Sequence, residues 1–158
     1  MKKLKIYLDT SVISHLQADD APEKMRDTLS LWERVINKEY DIYISTLTLE
    51  EVFECSMPKL SFLQQRLVEV NYTLLEIDEE TRSLAEKVIE TGILNKKCID
   101  DCMHIACAVV NECNYILSWN FKHLVNIKTI NGIRAITNLT NYRNIDIITP
   151  TILIGGEG

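Results

Sequence analysis

Short apolar runs alternate along this chain with longer stretches whose apolar positions recur at helical spacing. Residues 3–8 read as a first strand with Ile6 and Leu8 buried; Asp9-Thr10-Ser11 follows as a turn, and Val12 to Leu16 as a short helix. Asp19-Asp20-Ala21-Pro22-Glu23 has the acidic residues and early proline of a helix start. Leu29, Trp32, Val35 and Ile36 continue that helix at helical spacing through Asn37. Asp41 to Ser45 is a second strand, and Thr46 to Ser56 a helix carrying Leu47, Leu49, Val52 and Phe53. Pro58 starts a further helix to about Val70, and Tyr72 to Ile77 forms a third strand. Asp78-Glu79-Glu80 caps a helix that runs to Glu90, and Gly92 ends it. Asp100 to Glu112 is an apolar helix and Tyr115 to Ser118 a fourth strand. A connection over Asn120 to Val125, a helix over Ile127 to Thr137 and a last strand over Asp146 to Ile148 complete the pattern.

Strands that alternate with helices predict an α/β fold: a three-layer sandwich with a mainly parallel central sheet. The length of 158 residues fits one domain spanning 1–158, with the tail Ile154 to Gly158 expected to fray. No apolar stretch approaches the roughly 20 residues needed to span a bilayer. The basic start Met1-Lys2-Lys3-Leu4 is followed by too short and polar a run for a signal peptide, so a cytoplasmic protein without a membrane partner is expected.

Composition changes this picture little: 46% apolar and 25% charged residues are ordinary for a globular protein. The net charge of −6 argues against a broad electrostatic grip on nucleic acid but leaves room for a local basic rim. The five cysteines (Cys55, Cys98, Cys102, Cys107 and Cys113) are odd in number and read as reduced, buried small residues. Cys98 and Cys102 could share a helix face, but the paired spacings and further ligands of a zinc site are not evident.

The candidate chemistry is acidic. Asp9 closes the first apolar run, Glu51 lies just after the second strand, and Asp101 opens the apolar helix. A carboxylate at the edge of a core element is costly unless paired, and in α/β folds ligands bind at strand ends. One shared partner, a divalent cation held by oxygen ligands, is the simplest explanation. Asp9 could alternatively serve as a helix N-cap, Glu50 compete with Glu51, and Asp100 compete with Asp101 or cap its helix. His104 is three residues after Asp101 and four after Asp100, so it can meet either on the helix surface; it reads equally as an orienting group or a packed histidine. Scarce glycine excludes the P-loop and the dinucleotide fingerprint, and no Gly-x-Ser-x-Gly elbow is present.

Four segments in order, Ile6-Tyr7-Leu8-Asp9-Thr10-Ser11, Ile44-Ser45-Thr46-Leu47-Thr48-Leu49-Glu50-Glu51-Val52, Asp101-Cys102-Met103-His104-Ile105-Ala106-Cys107-Ala108 and Tyr115-Ile116-Leu117-Ser118-Trp119-Asn120-Phe121-Lys122-His123, give the chain its resemblance to PIN-domain ribonucleases, the group that includes VapC-type toxins. The resemblance selects Glu51 and Asp101 from their adjacent pairs. It implies a PIN-like fold and a Mg2+- or Mn2+-dependent endoribonuclease in which Asp9, Glu51 and Asp101 hold the metal and Asn120 completes the cluster. Thr10 or Ser11 would hydrogen-bond Asp9 or a water on the ion; Asp100 and His104 would support the site. Lys122 and His123 would hold a phosphate. The implied partners are RNA, a small antitoxin protein and a second copy of the chain. Asn120 stands where many of these enzymes carry an aspartate. A non-catalytic PIN-like module that binds RNA or protein is therefore the alternative.

Overall fold

The computed structural model describes residues 2–155. Five parallel strands, β1 (Lys5–Leu8), β2 (Asp41–Ser45), β3 (Tyr72–Leu75), β4 (Tyr115–Leu117) and β5 (Asp146–Ile148), form one sheet in the order β3-β2-β1-β4-β5. Eight helices surround it: α1 (Thr10–Ser14), α2 (Pro22–Ile36), α3 (Thr46–Phe53), α4 (Lys59–Leu67), α5 (Glu79–Glu90), α6 (Ile99–Val110), α7 (Ile127–Thr140) and α8 (Pro150–Gly155). A short 3-10 turn over Lys96–Cys98 precedes α6.

Strand alternation divides the core in two. Ile6 and Leu8 of β1 point to one face, with Ile42, Ile44 and Leu117, and are covered by Val12 and Ile13, Leu31, Trp32 and Val35, Leu63, and Leu153. Tyr7 points to the other face, with Ile116 and Ile147, under Leu84 and Val88, the α6 residues Cys102, Ile105 and Ala106, and Ile133 and Ile136. Helices on both faces make the expected three layers, and β1, covered on both sides, reads accordingly as a nearly continuous apolar run.

The chain moves outward from β1 to β2 and β3, then crosses back to start β4 on the other side of β1. This reversal puts a crevice outside the C-terminal ends of β1 and β4, where doubly wound sheets bind ligands. The register pairs Leu8 with Leu117, so the residues that follow, Asp9 and Ser118, emerge side by side.

Local chemistry fixes the element ends. Ser45 caps α3 in a reciprocal box with Thr48, Asp78 caps α5 through the Thr81 N–H, and Asn126 caps α7 through the Thr129 N–H; each such cap contributes about 1 kcal/mol. Gly92 has φ of +80°, the left-handed conformation expected just past the end of α5. Three expectations need correction. Asp100 lies within the first turn of α6, whose N-cap is Cys98, so Asp100 caps nothing. Ile154 and Gly155 do not fray but end α8, which Leu153 anchors beneath α2; residues 156–158 of that tail lie outside the described residues. The third strand stops at Leu75 rather than Ile77.

Candidate active site

Asp9 is 4% exposed at the end of the central strand. Its Oδ1 accepts from the Ser11 hydroxyl at 2.6 Å and from the Val12 N–H at 3.3 Å, so Asp9 does cap α1. Its Oδ2 accepts from the Ser118 hydroxyl at 2.5 Å. Burial pushes the Asp9 carboxyl above the usual range, against the opposing charge of His104 and the hydroxyls of Ser11 and Ser118. A buried carboxylate held this way has its orientation fixed by neutral donors alone. Oδ1 has both lone pairs committed, whereas Oδ2 keeps one.

Glu51 reaches the same crevice from α3. Its Oε1 accepts from the Thr10 hydroxyl at 2.7 Å and lies 2.5 Å from His104 Nε2. Burial would raise its pKa, but the hydrogen bond and charge of His104, with Thr10, outweigh that and hold the carboxyl below its usual range. Glu50, one residue away, is exposed and faces a separate cleft with Glu76, Arg82, Asp100 and Met103. The helix thus sends the two members of each adjacent acidic pair in different directions: Glu51 and Asp101 inward, Glu50 and Asp100 into that second cleft.

His104 is 2% exposed and engaged at both ring nitrogens. Its Nδ1 lies 2.6 Å from the Tyr7 hydroxyl, which lies 2.8 Å from Ser45 Oγ. Burial raises the Tyr7 phenol so far that it stays protonated. A chain of hydrogen bonds runs from the Thr48 N–H to Ser45 Oγ, from Ser45 Oγ to the Tyr7 hydroxyl, from there to His104 Nδ1, and from His104 Nε2 to Glu51. The relay ties the core of the sheet to a single carboxylate.

Asp101 is partly buried. Burial raises its carboxyl, opposed by a hydrogen bond and charge from His123 and reinforced by the negative charge of Glu51. His123 Nδ1 lies 2.9 Å from Asp101 Oδ2. The bases reaching these carboxylates are therefore histidines, His104 at Glu51 and His123 at Asp101. Asn120 turns its Oδ1 to the His123 N–H at 3.0 Å, while its own N–H donates to Ser118 at 2.9 Å. Its side chain thus shapes the loop that carries His123. Lys122 and His123 line a basic cleft of about 490 Å³ with Lys96, Lys128, Asn126 and Cys98.

Asp9, Glu51 and Asp101 all lie within the electrostatic reach of His104. They do not close into one tight cluster: among the described residues, the group of three potential ligand atoms mutually within 4.8 Å is Cys98, Asp101 and His123. Mg2+ keeps several waters and takes only one or two carboxylates directly, so such a cation does not require a tight cluster. Each acid also retains an oxygen with free capacity: Asp9 Oδ2 in part, Glu51 Oε2 and Asp101 Oδ1. The all-oxygen donor set fits a hard divalent cation.

Sequence reasoning passed over Ser118, Tyr7 and Ser45 as site residues. Ser118 had a visible signal, a hydroxyl directly after the strand that pairs with the Asp9 strand. Of the cysteines expected to be reduced and buried, Cys55 is only half-buried. Four are buried and none is paired, but Cys98 has two other ligand-type groups beside it, one brought from a loop 25 residues on that local spacing could not reveal.

An acidic crevice at the switch point of a five-stranded parallel sheet defines the class: an α/β fold with a carboxylate site at its strand ends. The PIN domain family model matches residues 6–120, so the chain belongs to the PIN-domain family. Among solved structures it is similar to Mycobacterium tuberculosis VapC20, described as a Sarcin-Ricin loop cleaving toxin, with 14% identity, a TM-score of 0.59, and coverage of 75% of this chain and 92% of that one. It is also similar to VapBC2 from Rickettsia felis bound to a DNA fragment from their promoter, with 14% identity, a TM-score of 0.53, and coverage of 91% and 97%. At such identity these two establish likeness of fold. No curated protein matches in sequence. Among the described residues no helix is long and apolar enough to cross a membrane.

Proposed function

We propose that this chain is a divalent-cation-dependent endoribonuclease whose site is built on Asp9, Glu51 and Asp101. The observation that carries the reading is Asp9: a buried carboxylate at the switch point, oriented through both oxygens by neutral donors and lacking a fixed cationic partner. Asp9 and Asp101 would hold Mg2+ or Mn2+, with Glu51 facing the same ion. When bound, such an ion supplies Lewis-acid activation of water and neutralises charge at a phosphate.

The remaining work falls to the chain's own groups. Ser11 and Ser118 fix the Asp9 carboxylate, and Thr10 and His104 fix Glu51. The depressed pKa of Glu51 keeps it ionised and able to accept a proton hydrogen bond from an attacking water. Lys96, Lys122 and Lys128 offer cations along the cleft for an RNA backbone. By analogy with VapC20 and the VapBC2 complex, the partners would be RNA and a small antitoxin; a second copy of the chain is implied by the family resemblance alone.

Asn120 favours a second reading, a non-cutting RNA- or protein-binding module, because its amide oxygen is turned to the His123 N–H and brings no negative charge. Digestion of RNA in Mg2+, in Mn2+ and in EDTA separates the two. The enzyme cuts with either metal, stops in EDTA and is inactive as Asp9→Asn. Cleavage that survives EDTA and the substitution would refute the metal site; a folded protein that neither cuts RNA nor binds Mg2+ would establish the module.

A further inference from the structure

We infer that Cys98, Asp101 and His123 form a second metal site, one selective for a borderline ion such as Zn2+, and that it shares Asp101 with the nuclease carboxylates. The three ligand atoms lie within 4.8 Å of one another. They come from three segments: the 3-10 turn before α6, the first turn of α6, and the loop after β4. Sulfur, oxygen and nitrogen together are a zinc-type donor set, whereas Mg2+ takes oxygen.

The site is built rather than incidental. His123 is pinned on both sides, its N–H donating to Asn120 Oδ1 at 3.0 Å and its carbonyl accepting from the Thr129 hydroxyl at 2.8 Å. Its ring already stands 2.9 Å from Asp101. Cys98 is only 7% exposed, and its thiol has just a long contact to Asn95 Oδ1 at 3.6 Å, so no strong hydrogen bond is lost on ligation. Asn95 also holds the turn through the Lys97 N–H. The cleft lined by Cys98 and His123 provides an entry path, and three protein ligands leave a fourth tetrahedral position open.

Sharing has a consequence that rests on the proposed nuclease reading. Zinc on Cys98 and His123 engages Asp101 and withdraws it from the crevice holding Asp9 and Glu51. Occupancy of the second site therefore inhibits Mg2+-dependent cleavage.

The test uses the full chain stripped of metal and titrated with Co2+. The expected result is one equivalent bound, with thiolate-to-cobalt charge-transfer absorption that Zn2+ displaces and excess Mg2+ does not. Cys98→Ser removes the absorption. His123→Gln, at a more exposed position, weakens Co2+ binding by more than the roughly 10–100-fold that loss of an outer-shell partner costs; this second variant keeps the test decisive if Cys98→Ser folds poorly. Absence of the absorption in wild type, or its persistence in folded Cys98→Ser, overturns the site. In RNA digests, one equivalent of Zn2+ suppresses wild-type cleavage in Mg2+, while the cleavage Cys98→Ser shows without zinc is not lowered further by it; equal fractional inhibition of both proteins overturns the shared-ligand claim. The cobalt measurement stands whether or not the chain cuts RNA.

Discussion

Tyr7→Phe isolates the relay that positions Glu51. The substitution keeps the ring in a fully buried position, so no cavity opens and the apolar packing is unchanged. What disappears is one hydroxyl, with its contacts to His104 Nδ1 at 2.6 Å and Ser45 Oγ at 2.8 Å. Ser45 is compensated, since its hydroxyl still has Thr48 Oγ1 as a partner at 3.3 Å. His104 Nδ1, in a side chain 2% exposed, is left with no partner. One buried polar group without its hydrogen bond costs about 1–3 kcal/mol. In a chain of this size that corresponds to a fall in Tm of roughly 2–12 °C. Urea denaturation of wild type and variant measures it, with an unchanged m-value expected because the native surface is the same. Pairing with His104→Leu removes both partners and thus the orphan, so the double variant loses less than the sum, with a coupling of about 0.5–3 kcal/mol. A loss below about 0.5 kcal/mol for Tyr7→Phe, or strict additivity in the cycle, would refute the reasoning.

Two further predictions concern the acids. Burial holds the Asp9 pKa in the fold above its unfolded value, so wild-type stability from this group is greatest where Asp9 is protonated and falls as pH rises through the folded pKa. Asn keeps the capping geometry without the charge. In EDTA, Asp9→Asn is therefore the more stable protein by urea denaturation at neutral pH, and its advantage shrinks on acidification; a variant less stable than wild type at neutral pH contradicts this. Glu50→Gln and Asp100→Asn, which alter the separate cleft, leave Mg2+-dependent RNA cleavage within about twofold, the equivalent of roughly 0.5 kcal/mol. Glu51→Gln and Asp101→Asn each lose at least about 100-fold, and the reverse pattern would reassign the site.

The layered fold was legible because its signals are local. Short apolar strands, period-3.6 helices, the Asp78 cap and Gly92 all act within a few residues of themselves. Asp9 was legible for the same reason, as an acid that ends an apolar run. Helical periodicity could not choose between Glu50 and Glu51, because the choice depends on Thr10 and His104 in distant segments. The resemblance to the family supplied it instead. Ser118 beside Asp9, Tyr7 beneath His104, and His123 with Cys98 beside Asp101 all depend on sheet order and loop path, which no spacing along the chain encodes. α8 was missed because Pro150 to Gly155 is too short for its pattern to show; it is held by Leu153 packing against α2 rather than by propensity.

The central claim is that Asp9, Glu51 and Asp101 face one hard cation in the crevice between β1 and β4. Crystals soaked in Mn2+ test it most directly through anomalous scattering. A single strong peak is expected in contact with Asp9, bordered by Glu51 and Asp101, with no peak there in Asp9→Asn. No peak at Asp9 in wild type, or one that persists in the variant, would contradict it.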